Sequence, residues 1–139
     1  MKEKFIILIA DRNLHVRNLL KREMVAEGYR VRLAESGRDV LKWSYESGPL
    51  DLMILDPDWP DIDEAALFAR LADRIPTLPM IIHTLLSDYT TSKRISGTVA
   101  FVEKSGSSME KLKQVVADFR NKADLTNRHN SKKTEPSKI

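Results

Sequence analysis

At 139 residues, 42% of them hydrophobic and 31% charged, the chain has an ordinary globular balance and room for one domain with one core. It has no cysteine, which excludes a disulfide framework, a thiolate metal site and a cysteine nucleophile, and no apolar run approaches the roughly 18 residues of a membrane-spanning helix. The formal net charge of +3 falls wholly in residues 121–139, because residues 1–120 carry 18 basic and 18 acidic side chains; a basic nucleic-acid-binding face on the body is thereby excluded.

The first element is the apolar run from Phe5 to Ala10. It stops at Asp11 and Arg12, so it reads as a buried strand and not as a signal peptide, whose apolar region is longer and ends in small residues. Val16, Leu19, Leu20 and Met24 follow at helical spacing, and Gly28 suits the left-handed position that ends a helix. Tyr29 to Leu33 alternates apolar and polar residues, as a half-buried edge strand does. Ser36 and Gly37 open a short helix through Val40, Leu41 and Tyr45, ending near Gly48 and Pro49. Leu52 to Leu55 is a continuous apolar strand. Asp63 is placed to cap the next helix, with Leu67, Phe68 and Leu71 on its buried side. Pro79 precedes a buried strand, Met80 to Thr84. A polar helix candidate covers 87–95, and Thr98 to Val102 is the fifth strand. Ser107 and Glu110 form a capping-box pattern before the stripe Met109, Leu112, Val115, Val116 and Phe119. The domain is expected over 1–120, with 121–139 a basic, polar tail or linker without structure.

Five strands alternating with five helices predict a parallel sheet covered on both faces. Right-handed crossovers bring all the strand C-termini to one edge, where open α/β sheets bind ligands. That rule selects Asp11 with Arg12, Asp56, Thr84 and Lys104, at or just beyond the ends of strands one, three, four and five. A carboxylate there can attack an activated phosphorus and form an acyl phosphate. The transfer needs mostly positioning and neutralisation of oxygens: Lys104 supplies a cation, Thr84 a hydroxyl donor, and Asp11 an anchor for a hydrated divalent ion.

With these residues in these positions, the chain over about 4–120 resembles the receiver domains of two-component signalling, especially the chemotaxis-regulator type. The run from Ile54 to Asp63, with Pro60 four residues after Asp56, is similar to the family's acceptor strand and loop. The resemblance implies a flavodoxin-like, doubly wound α/β fold with strand order 2-1-3-4-5 and five flanking helices. Asp56 corresponds to the phosphoacceptor, Thr84 to the switch hydroxyl, Lys104 to the lysine that contacts the phosphoryl group, and Phe101 to the coupled aromatic. Implied further are Mg²⁺ held by Asp11, Asp56 and Asp58, a histidine kinase or phosphotransfer protein as donor, and a downstream protein or an output domain outside this chain as receiver of the signal. A homodimer through the 87–95 helix, the fifth strand and the last helix belongs to the same expectation, as does a cytoplasmic location; partnership with membrane or nucleic acid does not. The module is a phosphoacceptor, not an enzyme, with at most slow self-phosphorylation and self-dephosphorylation.

Four positions depart from the family pattern. Arg12 stands where the second acid, normally a direct metal ligand, is found. A guanidinium repels Mg²⁺ and forks readily onto carboxylates, here Asp56 or Asp58, so metal binding is expected to be weak or absent. Leu85 follows the threonine where a small residue is usual. Ser105 follows Lys104 where proline is common, which disfavours a cis bond by about 2.5–4 kcal/mol. Glu64 follows Asp63 in place of glycine. These departures leave open a pseudo-receiver that works by protein contacts alone. A haloacid-dehalogenase-like phosphohydrolase is the other alternative, since Asp56-Pro57-Asp58 is an Asp-x-Asp at a strand end; the chain lacks a later strand ending in acidic ligands. His83 reads as hydrogen-bonded core, Trp43 and Tyr45 as packing residues, and Trp59 as an exposed lid or partner contact.

Overall fold

The computed structural model describes residues 4–46, 48–85 and 99–134. In chain order the elements are β1 (Ile6–Ala10), α1 (Leu14–Ala26), β2 (Arg30–Ala34), α2 (Gly37–Glu46), β3 (Leu52–Leu55), α3 (Glu64–Ala72), β4 (Met80–Thr84), β5 (Val99–Glu103) and α4 (Ser108–Thr134). The strands form one all-parallel sheet in the order β2-β1-β3-β4-β5, the flavodoxin-like order expected from the sequence. Four of the five expected helices lie among the described residues; the candidate at 87–95 falls outside them.

The continuous apolar strands are buried on both faces, as a sheet with helices on each side requires. Period-two alternation divides β1: Ile6, Leu8 and Ala10 pack with Met53, Leu55, Val40, Leu67 and Leu71, the layer under α2 and α3. Ile7 and Ile9 pack with Leu20, Met24, Ile54, Ile81, Leu112 and Val116, the layer under α1 and α4. Each such buried side chain contributes about 1.5–3 kcal/mol. Two signals read from the sequence act as expected. Gly28 has φ +94° and ends α1 with the Tyr29 amide bonded to the Met24 carbonyl at 3.1 Å, while the Asp63 carboxylate accepts the Ala66 amide at 3.2 Å at the start of α3.

The last helix corrects a sequence expectation: α4 continues past Arg120 to Thr134. Low hydropathy marked this stretch as unstructured, but no glycine or proline interrupts it between Gly106 and Pro136, so helical hydrogen bonding propagates once α4 is anchored. At its other end, Ser107 Oγ lies 3.2 Å from Ser105 Oγ, a different use from the capping role expected of it. Among the described residues no helix is long and apolar enough to cross a membrane.

Candidate functional site

Parallel register sets the C-terminal ends of β1, β3, β4 and β5 side by side. The Asp56 amide donates to the Ala10 carbonyl at 2.9 Å, and the Lys104 amide to the Thr84 carbonyl at 2.9 Å. These two bonds fix Asp56 beside Asp11 and Lys104 beside Thr84 before any side chain is considered. The side chains then converge. Lys104 Nζ lies 2.6 Å from Asp56 Oδ2 and 2.9 Å from Asp11 Oδ2. Thr84 Oγ1 donates to Asp56 Oδ1 at 3.4 Å, and the Asp58 amide donates to the same oxygen at 3.0 Å. Asp11, Asp56 and Thr84 are buried.

Burial pushes the Asp11 carboxyl above the usual carboxylate range, against the pull of Lys104 and of the Asn13 amide that favour its charged form. Burial also works against the Lys104 ammonium, yet its hydrogen bonds to Asp56 and Asp11 together outweigh that cost and hold it above the ordinary lysine range. Lys104 is therefore a cation shared by two carboxylates.

Arg12 reaches the rim of this mouth and pairs with Asp58, NH2 to Oδ2 at 3.1 Å, both side chains exposed. Of the two acids expected to attract it, Asp58 is the one it meets; Asp56 is engaged by Lys104. The Asp58 backbone turns inward to Asp56 and its carboxylate turns outward to Arg12. This distribution does not fit the Mg²⁺ ligand set expected of Asp11, Asp56 and Asp58. Asp11 and Asp56 already share the Lys104 ammonium and Asp58 holds Arg12, and among the described residues no three His, Cys, Asp or Glu side chains are placed to hold one metal ion.

Several neighbours differ from their sequence reading. Trp59 is 5% exposed and belongs to the core layer under α2 and α3, not to an exposed lid. Within the loop after β3, Asp58, Pro60 and Asp61 face solvent while Trp59 turns in, which roofs the end of that layer. Arg17 was missed. It is buried on α1, donates NH1 to the Asp11 carbonyl at 2.8 Å and lies 3.7 Å from Glu35. Its position three and seven residues before Leu20 and Met24, on the buried stripe, was the signal available. Asp61 was also missed: its carboxylate accepts the amides of Gly37 at 2.9 Å and Arg38 at 3.0 Å, clasping the loop after β3 to the start of α2.

His83 and Trp43 agree with their reading as core residues, whereas Tyr45, read as packing, is half-exposed. His83 is buried, its Nε2 3.1 Å from Ser108 Oγ. Trp43 packs against the core under the Arg32 guanidinium, and the Tyr45 hydroxyl donates to the Arg70 carbonyl. Phe101 on β5 is 44% exposed and Leu85 49% exposed. The cis bond among the described residues is Ile75–Pro76, so Lys104–Ser105 is trans.

A carboxylate at the tip of β3, enclosed by a hydroxyl and an ammonium from the next two strands, is the constellation the comparisons bear on. The response regulator receiver domain family model matches residues 7–117. The chain belongs to that family. The DNA-binding transcriptional regulator NtrC of Proteus hauseri is 34% identical over 86 residues, 62% of this chain and 18% of that protein; the receiver thus spans less than a fifth of the length of this curated relative. The response regulator TrrA of Thermotoga maritima, solved in complex with Mg²⁺-BeF, superposes with TM-score 0.72 at 30% identity over 83% of this chain and 98% of that one. The signal receiver domain of the Luxo repressor protein from Vibrio parahaemolyticus shares the fold, with TM-score 0.76 at 23% identity over 90% and 96% of the two chains. The family match is to the receiver domains of response regulators, as the sequence resemblance implied.

Proposed function

We propose that this receiver accepts a phosphoryl group on Asp56 from a histidine kinase or phosphotransfer protein and turns that event into a change of protein-binding surface. One observation carries the reading: the Asp56 carboxylate lies 2.6 Å from Lys104 Nζ and 3.4 Å from Thr84 Oγ1. In the transfer an Asp56 oxygen forms a bond to phosphorus as the phosphorus–nitrogen bond of the donor phosphohistidine breaks, and the leaving imidazole keeps the electron pair and takes up a proton. Lys104, tethered to Asp11, turns from the carboxylate to the phosphoryl oxygens. A cavity of about 260 Å³ beside Lys104, lined by Val16, Leu19, Leu20 and Met109, offers apolar contact to the donor protein.

The same oxygens draw the Thr84 hydroxyl inward. Thr84 is the last residue of β4 and pairs with Glu103 on β5, two residues from the half-exposed Phe101, so a shift at Thr84 is felt along the β5 edge. This is a population shift between two states, set by how much better one of them accommodates the acyl phosphate. The downstream partner, in another chain or an output domain outside this one, reads β5 and the adjoining face of α4. A homodimer through that face is one form such a partner takes.

A second reading has a specific observation behind it: the Arg12–Asp58 pair at 3.1 Å stands where the family's second acid acts, as expected of a pseudo-receiver that works without phosphate. One experiment separates the two. After incubation with acetyl phosphate, the intact mass of the wild-type chain is expected to rise by one phosphoryl group, and that of Asp56→Asn is expected to stay unchanged. No gain in the wild type leaves the pseudo-receiver.

A further inference from the structure

Three carboxylates and two cations meet at the mouth, and the geometry assigns each carboxylate a partner: Asp11 and Asp56 share Lys104, and Asp58 holds Arg12. The second oxygens of Asp11 and Asp56 are committed as well. Asp11 Oδ1 accepts the Asn13 amide at 2.9 Å, and Asp56 Oδ1 accepts the Asp58 amide at 3.0 Å. A magnesium ion needs near-octahedral oxygens at about 2.0–2.1 Å and gives up its water reluctantly. Entering here, it would have to draw Asp58 off a guanidinium and Asp11 off an ammonium, and then share the space with both cations.

We propose that Arg12 is the built-in cation of this receiver. Held by Asp58 at the rim, it takes the place of the divalent ion, excludes Mg²⁺ at physiological concentrations, and with Lys104 balances the anion formed on Asp56. The mouth is then an anion site served by two side chains and no metal. The fork of the guanidinium suits it to phosphoryl oxygens, which it can bind in pairs, and its exposure on the rim leaves it free to swing from Asp58 to that anion. The identity of the anion rests on the reading above; the exclusion of the metal does not.

The test compares the full chain with Arg12→Asp, which restores an acidic pair, and with Arg12→Lys, which keeps the charge. Both substitutions are on an exposed side chain, and circular dichroism verifies that each variant folds. Calorimetric titration with MgCl₂ is expected to give no saturable heat for wild type and Arg12→Lys through the low millimolar range, and saturable binding for Arg12→Asp. Saturation by the wild type in that range, or no gain in a folded Arg12→Asp, overturns the proposal. In parallel, wild type is treated with phosphoramidate in EDTA and in Mg²⁺. Equal labelling of Asp56 in the two supports metal-free balancing, and labelling that requires Mg²⁺ overturns it. Absence of label in both defeats Asp56 as acceptor while the calorimetry still decides the role of Arg12.

Discussion

Gly37 and Asp61 hold the loop after β3 through a contact that depends on a missing methyl group. A Cβ built on Gly37 would lie 2.2 Å from Ile62 Cγ2 and 3.1 Å from Asp61 Oδ1, so any side chain at 37 pushes away the loop that carries Asp56 and Asp58. Gly37→Ala is therefore expected to destabilise the domain by about 1–3 kcal/mol, the usual cost of overpacking, although alanine is the better helix former. Urea unfolding checks the sign; a stabilised variant would mean that the loop is not pinned at Ile62. The hydrogen bonds from Arg38 and Gly37 also hold the Asp61 carboxyl below its ordinary range, so this clasp is complete at neutral pH and lost as pH falls through that lowered value. At this scale the reading of the sequence was uneven for a physical reason. Asp11, Asp56, Thr84 and Lys104 could be placed because strand ends are fixed by pattern and topology. Asp61 could not, because its partners lie 24 and 23 residues away and no local spacing encodes the meeting. Trp59 was misplaced because its neighbours Asp58 and Pro60 look like surface, while the ring itself fills the end of the core.

Between β4 and α4, His83 and Ser108 form a buried link next to the site. Burial, and secondarily the Lys104 charge, lower the His83 pKa to about 4, so the ring is neutral at pH 7 in the fold, while in the unfolded chain it titrates near 6.5. As pH falls below 6.5 the unfolded chain takes up the proton first. Stability is thus full above that value, and on the order of 3 kcal/mol is lost by pH 4. Thermal unfolding of wild type between pH 7 and 4.5 is expected to show this decline, and His83→Gln, which keeps an amide donor for Ser108, is expected to flatten it. Equal slopes in the two proteins would place the acid sensitivity elsewhere. The elements themselves were readable wherever an apolar period was strong, which covers β1, β3, β4 and the first part of α4. They were unreadable where continuation depended only on the absence of a breaker, as in α4 beyond Arg120.

Across the whole molecule, two core layers on either side of one parallel sheet bring four polar residues to a single edge, and the family match over 7–117 agrees with that architecture. The sheet makes the pocket rigid, with the Asp56 and Lys104 backbones each bonded to the neighbouring strand. What distinguishes this receiver lies at the rim, where Arg12 and Asp58 meet, and that difference concerns charge balance and leaves the topology untouched. The identity of the acceptor is the point on which signalling depends. Borohydride reduction of the chain after treatment with a small phosphodonor, followed by peptide sequencing, reads it directly, because an aspartyl phosphate is reduced to homoserine. Homoserine at position 56 is the expected result; an intact aspartate there, with the label on another residue or on none, would contradict it.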